Sequence, residues 1–569
     1  MNVKIRILSA IFSILFLGLV ARLFYWQVVK GADLSQQAKG QYNSSQVNAA
    51  SRGNILANDE SFWVLRTDVW TVFANPRNLT DNPRAVSQKL APFFIQNLDD
   101  KGELLLESQR IENLLSKKGS YIALKNRVSS ETKRNIEALK IEGLGFDVNE
   151  SRYYPEASSA AQILGFVGKD EVGTNVGYFG LEGYYNLSLS GKSGFTKRQK
   201  DAKGSPILLN DTKNVSAISG VDLVTNIDKR IQMLIEEQLK VAVEKYGATG
   251  GSITVMEPTT GNVLAMASFP SFDPRTYWDY SDSLFRNPVV SDTFEPGSIF
   301  KVVVMAAGLD AGVVKPDTEC DICGQPLKLD KYLIKTWNNQ YTQNISMTNV
   351  IVHSDNVGMS FVGSKLGADR LYDYLDKFGI GRETGIDLQG ETSPPMRKRG
   401  TWSSVDLATT SFGQGIVVTG VQMLRAVAAI ANGGYLVTPQ IVNKIKSDGW
   451  EETVSVTEKE QIISAKAANE ISQMMMKAVD EGEAKWTKVP GFKIAGKTGT
   501  AQIPVEGHYD AVNTNHSFIG FAPVEKPKFV MLVTLKSPQT SPWAAETAAP
   551  TWFTIAKDLF PYLGIAPSE

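Results

Sequence analysis

An apolar stretch at the start of the chain limits the possible folds more than any other feature of this sequence. Lys4 and Arg6 precede a predominantly apolar run over residues 7–21, and apolar and aromatic residues continue beyond Arg22. With Arg22 near the interface, the stretch reaches the ~20 residues that span a bilayer. Positive charge before the run favours a cytoplasmic N-terminus. The sequence therefore predicts a membrane anchor over residues 1–30, with the remainder outside the cytoplasm.

A cleaved signal peptide is the main alternative for this stretch, because a short apolar core after basic residues is typical of one. Bulky residues fill positions 23–29, so no small-residue cleavage site follows within reach. A buried core helix is a second alternative. An extracytoplasmic location would favour a disulfide between the two cysteines, Cys320 and Cys323. Inert thiols, a redox-labile pair or a metal-binding pair also fit their C-x-x-C spacing, although zinc needs four ligands.

Length and composition exclude some classes of function. The 569 residues exceed one domain of roughly 100 to 200 residues, so two or three folded units are expected. The 59 Lys+Arg nearly cancel the 60 Asp+Glu, which argues against a nucleic-acid-binding protein with its basic surplus. Only three histidines occur, at positions 353, 508 and 516. Their scarcity argues against a Ser-His-Asp hydrolase, which needs a histidine as its general base.

The first region after the anchor, residues 31–215, is polar and mixed and contains no recognisable nucleophile or ligand cluster. Val69–Ala74 has a strand-like pattern, whereas Gln109–Leu115 and Ser129–Leu139 have helical periodicity. Glycines crowd residues 165–194 near its end, and they predict turns and extended connections. We interpret that segment as a linker and docking surface between two domains.

The second region, residues 216–569, has strand patterns at both ends and helical patterns between them. Its predicted elements are a strand at Asp222–Thr225, a helix at Asp228–Tyr246, hairpins at 252–267 and 517–534, and a last helix at Ala544–Leu559. These elements predict an α+β fold in which one sheet joins the N- and C-terminal segments and helices cover it.

Ser298 and Lys301 form a Ser-x-x-Lys motif in front of an apolar helical run. Pro296-Gly297 before that run indicates that Ser298 begins a helix, and the spacing puts Lys301 one turn along on the same face. A lysine takes a serine proton only if desolvation or a neighbouring cation lowers its pKa. By itself, the motif is weak evidence, because it is more typical of an N-capping serine followed by an exposed lysine.

A second motif, Ser354-Asp355-Asn356, lies 53 positions beyond Lys301, after a helical pattern at Thr348–His353. The serine hydroxyl and the asparagine amide, two residues apart on a loop, suit proton relay and substrate hydrogen bonding in a cleft. A plain turn is the alternative.

The third motif is Lys497-Thr498-Gly499-Thr500, within a predicted edge strand. Such a strand offers its backbone to an extended peptide, and Gly499 would let that peptide approach closely. The threonine hydroxyls and the lysine charge suit a carboxylate. An ordinary strand with one bulge is the alternative.

In this order, Ser-x-x-Lys, Ser-x-Asn and Lys-Thr-Gly form the triple of the penicillin-recognising serine enzymes. Over nearly its whole length the chain resembles a class B penicillin-binding protein, a monofunctional D,D-transpeptidase. Ser51–Ile55 resembles the Arg-Gly-x-Ile start of that family's pedestal, Gly180–Gly183 its Gly-x-Glu box, and Thr410–Thr419 a stretch before a transpeptidase helix. The context Phe294–Ser298 is closest to the division-type, septal branch.

Two departures from the family pattern bear on the subfamily. Leu56–Asp59 stands where the family usually has Asp-Arg-Asn-Gly, and Gly420 stands where proline is common. An elongation-type role therefore stays open beside the septal one.

The resemblance implies an α+β protein with an N-terminal transmembrane helix over residues 1–30 and an extended pedestal of the dimerisation type over residues 31–215. The transpeptidase domain would cover residues 216–569, with a mainly antiparallel sheet between helices. The resemblance also implies a single-pass protein of the bacterial cytoplasmic membrane, with its N-terminus inside and its catalytic domain outside. The expected partners are peptidoglycan stem peptides, β-lactams, a membrane glycosyltransferase and divisome-type membrane proteins, with no cofactor, metal or nucleic acid.

The roles that the resemblance implies concern a donor peptide ending in D-Ala-D-Ala. Its penultimate carbonyl would be attacked by Ser298, and an amine of a neighbouring stem would resolve the acyl-enzyme. Lys301 would act as the base, and Ser354, with Lys497 nearby, would relay the proton to the leaving amine. Asn356 would contact the substrate amide, Gly499 would let the substrate approach, and Thr498 and Thr500 would bind the terminal carboxylate. The backbone N–H groups of Ser298 and Thr500 would form the oxyanion hole.

Other functions would use the same triple. A D,D-carboxypeptidase differs only in transferring the acyl group to water, whereas a β-lactamase would need neither an anchor nor a pedestal. A non-catalytic β-lactam-binding scaffold is an alternative from another class. A bifunctional enzyme with a glycosyltransferase domain is disfavoured, because residues 31–215 lack a helical domain with the expected acidic residues.

Overall fold

A computed structural model describes the chain over six segments, which are residues 2–35, 43–95, 97–199, 213–454, 459–505 and 508–568. The chain forms two compact units. One unit consists of residues 1–52 and 190–220, and the other of residues 53–189 and 221–569.

The elements before residue 220 are mainly strands and short helices. The strands are β1 (Asn43–Asn48), β2 (Ile55–Leu56), β3 (Phe62–Ala74), β4 (Ile122–Val128), β5 (Leu144–Tyr153), β6 (Phe166–Lys169), β7 (Asn175–Tyr178), β8 (Gly194–Gln199) and β9 (Lys213–Val215). The α-helices are α1 (Asn2–Phe24), α2 (Pro83–Leu90), α3 (Lys101–Leu115), α4 (Ser130–Ala138), α5 (Ala161–Leu164), α6 (Gly180–Tyr184) and α7 (Asn186–Ser190).

The elements after residue 221 include the longest helices outside the N-terminal segment. The strands are β10 (Asp222–Thr225), β11 (Gly250–Met256), β12 (Val263–Phe269), β13 (Thr293–Phe294), β14 (Glu319–Cys320), β15 (Leu327–Leu329), β16 (Tyr332–Ile334), β17 (Ile345–Ser346), β18 (Val418–Thr419), β19 (Tyr435–Leu436), β20 (Val442–Ser447), β21 (Trp450–Thr453), β22 (Glu460–Gln461), β23 (Ala495–Val505), β24 (His508–Ala522) and β25 (Phe529–Lys536). The α-helices are α8 (Lys229–Tyr246), α9 (Pro288–Ser291), α10 (Lys301–Asp310), α11 (Met347–Val352), α12 (Asn356–Leu366), α13 (Ala368–Lys377), α14 (Ser404–Ser411), α15 (Gly420–Ala431), α16 (Ala465–Glu481) and α17 (Ala548–Tyr562).

The first unit contains the predicted anchor. Helix α1 continues into a π-helical turn over Tyr25–Val29. Among the described residues, Val3–Val29 is the one helix long and apolar enough to cross a membrane. The helix fits a single-pass anchor, as the apolar stretch predicts. The same unit holds an antiparallel sheet in which β8 lies between β1 and β9.

In the second unit, a five-stranded antiparallel sheet has the order β12-β11-β25-β24-β23. Strands β11 and β25 pair directly, which confirms the prediction that one sheet joins the N- and C-terminal parts of this region. Strand β25 is buried along almost its whole length because helices cover both faces of the sheet. Its alternate residues belong to two cores: Met531 and Val533 pack with α8 and α17, whereas Val530 and Leu532 pack with α10, α15 and α16.

A seven-stranded sheet has the order β21-β20-β10-β2-β3-β4, with β5 also paired to β3. Strand β10 runs parallel to β2 and antiparallel to β20, and Leu223 lies in a fully buried position at this junction. The Asp222 carboxylate accepts hydrogen bonds from the backbone and side-chain nitrogens of Asn54. One sheet therefore combines strands from both sides of residue 216. The domain boundary that the sequence predicts at residue 216 stays a prediction.

The helical predictions at Gln109–Leu115 and Ser129–Leu139 are confirmed by α3 and α4, and Ser129 caps α4 through its side chain. The prediction for residues 165–194 was partly wrong. Besides the β6–β7 hairpin, this segment forms helices α6 and α7. The reason is tertiary burial: the side chain of Leu181 is fully buried, and Glu182 forms a buried ion pair with Arg152 at 2.6 Å. These contacts override the low helix propensity of glycine.

Candidate active site

Ser298 lies in a turn of 3-10 helix, Gly297–Phe300, which leads directly into α10. Gly297 has a φ of 54° and donates its N–H to the Gly413 carbonyl at 3.0 Å. A Cβ added to Gly297 would lie 3.1 Å from the Ala501 Cβ on β23. The turn is therefore held between the edge strand and the segment after α14, and it presents the half-buried Ser298 side chain to a cleft.

Lys301 begins α10 and has 0% of its surface exposed. Its Nζ donates hydrogen bonds to the Ser354 carbonyl at 2.6 Å, the Ser354 Oγ at 3.1 Å and the Asn356 Oδ1 at 2.7 Å. Within the described part of the chain, no hydrogen bond joins Lys301 to Ser298. The first two motifs of the sequence thus meet at one buried amine, as their shared chemistry predicts.

The surroundings of Lys301 favour the neutral amine. Burial is the largest cause that lowers the pKa of Lys301, and the positive charge of Lys497 lowers it further. Asp355 and Glu483 oppose this shift, but the pKa still lies well below its usual value. The three hydrogen bonds of Nζ use all the protons of an ammonium group. A neutral amine keeps two of these protons and gains a lone pair, so it can accept a proton.

The Ser354-Asp355-Asn356 motif connects α11 to α12. Ser354 is buried with a φ of 56°, and Asp355 caps α12 by accepting the Gly358 N–H at 2.9 Å. The Asn356 Nδ2 donates to the Lys335 carbonyl at 2.9 Å. Because the Ser354 Oγ accepts from Lys301, its own proton can be donated towards the cleft.

Strand β23 is an edge of the five-stranded sheet and carries the third motif. Lys497 is 3% exposed, and its Nζ donates to the carbonyl of Thr498 at 3.2 Å and to its Oγ1 at 3.3 Å. Burial lowers the pKa of Lys497, and the charge of Glu483 opposes that shift. The Thr500 Oγ1 accepts the Ala544 N–H at 3.1 Å.

Gly499 packs against the nucleophile turn. A Cβ added to Gly499 would lie 2.8 Å from the Ile299 Cγ2 and 3.2 Å from the Ile299 N. The absence of a side chain at residue 499 therefore lets β23 approach the turn that carries Ser298. The sequence predicted a different role for this glycine, which was to let the substrate approach closely.

The cleft has a volume of about 350 Å³. It is lined by Gly297, Ser298, Trp337, Ser354, Asn356, Phe412, Gln414, Glu483, Thr498, Thr500, Gln502, Thr514, Pro542 and Trp543. Five of the eight predicted site residues are among these, and the other three, Lys301, Lys497 and Gly499, lie directly behind its wall.

Sequence reasoning missed several residues of the cleft. Phe412 and Gln414 belong to the Thr410–Thr419 stretch. The sequence therefore marked this stretch as a family feature, but it did not indicate that these two residues line the cleft. The Trp337 and Trp543 rings meet at a centroid distance of 5.0 Å with an edge-on geometry. Nothing in the local sequence predicted that pair, or the presence of Glu483.

The histidine and the cysteines that the structure buries have roles away from the nucleophile. His516 is fully buried, with its ring nitrogens 2.8 Å from the Thr514 Oγ1 and 2.7 Å from the Thr547 Oγ1. Burial lowers the pKa of His516 to about 4.

Cys320 and Cys323 form a disulfide, one of the alternatives that their spacing allowed. Among the described residues, no group of three or more His, Cys, Asp or Glu could hold a metal ion.

Two family descriptions match the chain. Residues 251–560 match the penicillin binding protein transpeptidase domain, and residues 47–225 match the penicillin-binding protein dimerisation domain. Together with the buried Ser-x-x-Lys, Ser-x-Asn and Lys-Thr-Gly site, these matches define a penicillin-binding serine enzyme. The chain belongs to the class B penicillin-binding proteins, peptidoglycan D,D-transpeptidases, and within them to the septal type.

Relatives and solved structures match over almost the full length. Stage V sporulation protein D of Bacillus subtilis is 33% identical, covering 98% of this chain and 85% of the relative. The probable peptidoglycan D,D-transpeptidase PenA of Neisseria meningitidis is 28% identical, covering 100% and 94%. Penicillin binding protein 3 of Mycobacterium tuberculosis, complexed with aztreonam, has a TM-score of 0.70 at 25% identity, covering 92% and 98%. A peptidoglycan synthetase from Bifidobacterium adolescentis has a TM-score of 0.73 at 25% identity, covering 93% and 98%.

Proposed function

We propose that this protein cross-links peptidoglycan stem peptides during cell division, with Ser298 as the acylated nucleophile. The observation that carries the proposal is the buried amine of Lys301, which is one helical turn from Ser298 and hydrogen-bonded to both Ser354 and Asn356. A base in that environment suits activation of a serine, because burial keeps part of it neutral. The aztreonam complex of penicillin binding protein 3 from Mycobacterium tuberculosis supports β-lactam binding by this chain.

Acylation begins when the Ser298 Oγ attacks the penultimate D-Ala carbonyl and its proton passes to the Lys301 Nζ. Backbone N–H groups of Ser298 and Thr500 stabilise the tetrahedral oxyanion. The intermediate collapses with cleavage of the C–N bond. The Ser354 Oγ relays a proton from Lys301 to the leaving D-Ala amine, so the enzyme is left as an ester with its base neutral again.

Deacylation reverses the direction of proton transfer. The amine of a neighbouring stem peptide attacks the ester carbonyl, and Lys301 takes the proton that this nitrogen loses. The new amide bond forms as the ester bond breaks, and the proton returns to the Ser298 Oγ. Exclusion of water from the cleft decides between this cross-link and hydrolysis, since either nucleophile resolves the same ester.

Substrate binding uses the edge of the sheet. Strand β23 has a free edge that can pair with an extended stem peptide. Asn356 lies beside it and contacts the substrate amide, and the hydroxyls of Thr498 and Thr500 face the terminal carboxylate from the same cleft. The Lys497 charge behind this strand adds attraction for that carboxylate.

The apolar helix over Val3–Val29 supports a single-pass location in the bacterial cytoplasmic membrane, with the N-terminus inside and the catalytic domain outside. Glycan polymerisation then comes from a separate membrane glycosyltransferase, contacted by the anchor and the pedestal beside divisome-type membrane proteins. Co-purification from membranes checks this part of the proposal. A chain lacking residues 2–29 should lose both the membrane fraction and the glycosyltransferase, and retention of both would contradict the role of the helix.

Intact-mass spectrometry tests the nucleophile. Residues 31–569 are incubated with benzylpenicillin beside Ser298→Ala and the control Ser364→Ala, whose hydroxyl bonds within its own helix. The parent chain and the control should gain one stable adduct, and Ser298→Ala should gain none. A second reaction, with a D-Ala-D-Ala donor peptide and a competing amine, separates transfer from hydrolysis. An unmodified but folded parent chain would remove the catalytic proposal, and product formed only with water would indicate a carboxypeptidase.

A further inference from the structure

Glu483 introduces a carboxylate into the cleft that no motif of the sequence predicts. It follows Gly482, the C-terminal cap of α16, so the helix end directs it towards the edge strand. The side chain lines the cleft, and its Oε2 accepts a hydrogen bond from the Thr498 Oγ1 at 3.0 Å. It also lines a small void next to Lys497, behind the cleft wall.

The Thr498 hydroxyl connects this carboxylate to a buried ammonium group. The Lys497 Nζ donates to the Thr498 Oγ1 at 3.3 Å, and that Oγ1 donates to Glu483 at 3.0 Å. A hydroxyl has one proton to give, so the proton of Thr498 is already used. The relay fixes the orientation of Thr498 and leaves Glu483 as the negative end of a hydrogen-bonded chain.

Three charged groups from three segments surround the base, Lys301 on α10. They are Asp355 before α12, Glu483 after α16 and Lys497 on β23. Asp355 already accepts the Gly358 N–H that caps its helix. Among the described residues, Glu483 is the acid whose charge acts on both buried lysines. Buried cations are tolerated when a counter-charge is close, so the site depends on this carboxylate.

We infer that Glu483 is a further positioning residue of the active site, which orients the Thr498 hydroxyl and supplies the counter-charge for the Lys301–Lys497 pair. The inference rests on the proposed function, because it assigns Glu483 a role in acylation of Ser298. Glu483 takes no proton from the substrate and forms no bond to it. It acts through Thr498 and through the charge of Lys301.

This arrangement divides the work of the two threonines. While the proton of Thr498 goes to Glu483, this hydroxyl can donate to a substrate carboxylate only by turning away from Glu483. The Thr500 Oγ1 accepts the Ala544 N–H, which leaves its own proton to donate. Thr500 is therefore the hydroxyl that donates to the terminal carboxylate without giving up a hydrogen bond, and Thr498 holds Glu483 next to Lys497 before substrate binds.

The test is the pH dependence of benzylpenicillin acylation for the chain from residue 31. Glu483→Gln keeps an acceptor for Thr498 but removes the charge that raises the pKa of Lys301. A larger fraction of Lys301 is then neutral at low pH, so the acid limb of the pH–rate profile for acylation moves to lower pH. Below the midpoint of the parent profile, acylation should rise roughly threefold to tenfold. Glu483→Asp should restore the parent profile, because it restores the charge.

Glu481→Gln is the matched control, since it removes the same charge from the end of α16 outside the cleft. Its profile should equal that of the parent chain. Thermal unfolding checks that each variant is folded, and Glu483→Ser replaces Glu483→Gln if the latter is not. If benzylpenicillin acylates the parent chain, but Glu483→Gln and Glu483→Ser have the same acid limb as the parent chain, this inference alone is overturned. A parent chain that benzylpenicillin never acylates would overturn the proposed function and this inference with it.

Discussion

At the scale of single residues, the active site depends on two lysines that the fold removes from water. Removing an ammonium group from water costs several kcal/mol unless hydrogen bonds and counter-charges offset that cost. Among the described residues, Lys301 has three oxygen acceptors around its Nζ, whereas Lys497 bonds only to Thr498. The better-supported amine is also the one whose pKa falls well below its usual value, because burial disfavours its charged form and Lys497 repels it further.

His516 gives a residue-scale prediction about stability. Its pKa is lowered to about 4 by burial, whereas an unfolded histidine titrates near 6.5. Between those values only the unfolded chain binds the proton, so stability present above pH ~6.5 is lost as the pH falls towards ~4, by up to about 3 kcal/mol. His516→Asn should remove this part of the pH dependence, as measured by denaturant unfolding at a series of pH values.

The exposed His353 provides the control for that experiment. His353→Asn should leave the pH dependence of the unfolding free energy as it is in the parent chain. An unchanged slope in His516→Asn would show that other groups cause the acid destabilisation.

At the scale of elements, the site is assembled where three segments meet at the start of α10. Strand β23 approaches from one side and the segment after α14 from another, and both contacts occur at glycine. A Cβ added to Gly413 would lie 2.1 Å from the Gly297 carbonyl oxygen, which is closer than any side chain allows. The position of Ser298 is thus determined by how closely neighbouring backbones approach its turn.

Gly499→Ala tests this packing. The added methyl group would meet Ile299 at 2.8 Å and push β23 away from the nucleophile turn. Overpacking of this kind costs roughly 1–3 kcal/mol. A displacement near 1 Å in an active site can lower the rate by roughly 100-fold, so acylation should fall far more than stability does. Stopped-flow acylation and thermal unfolding of the same sample measure the two effects.

Gly119→Ala is a suitable control, because its added Cβ would make only an ordinary contact of 3.4 Å with Ile122 in the pedestal. It should change neither the acylation rate nor the unfolding temperature by much. Equal acylation rates for Gly499→Ala and Gly119→Ala would mean that β23 can move without disturbing Ser298.

At the scale of the whole molecule, the unit of residues 53–189 and 221–569 is held together by a shared sheet. Strand β2 comes from the pedestal side and β10 from the transpeptidase side, and they pair in parallel register through Leu223 and Ile55. Both side chains are fully buried. The pedestal is therefore part of the hydrogen-bonded framework that supports β10 and β20, in addition to any role in partner binding.

A fragment of residues 216–569 should consequently be less stable than the chain from residue 31. Removal of β2 exposes one edge of β10 and the buried face of Leu223, and unpaired edges promote aggregation. We expect a lower unfolding temperature and concentration-dependent light scattering for the fragment. Co-expression with residues 31–215 should restore both, and a fragment as stable as the longer chain would contradict the structural role of this pairing.

The sequence by itself determined the elements with strong local signals. Pro296-Gly297 before an apolar run was enough to place Ser298 at a helix start, with Lys301 one turn along. Strand-like runs on either side of short turn segments predicted the hairpins, and an apolar run of suitable length predicted the anchor. These features depend on neighbours within a few residues, so local geometry and side-chain periodicity determine them.

Only the tertiary structure decided which distant segments meet. The carboxylate of Glu483 enters the cleft because α16 packs beside β23, and His516 is buried because α17 covers its strand. The local sequence around either residue has no signal for those contacts. Likewise, Gly499 is required by Ile299, about 200 positions earlier in the chain. Electrostatics and close packing depend on distances in space, and folding brings together groups whose separation along the chain says nothing about those distances.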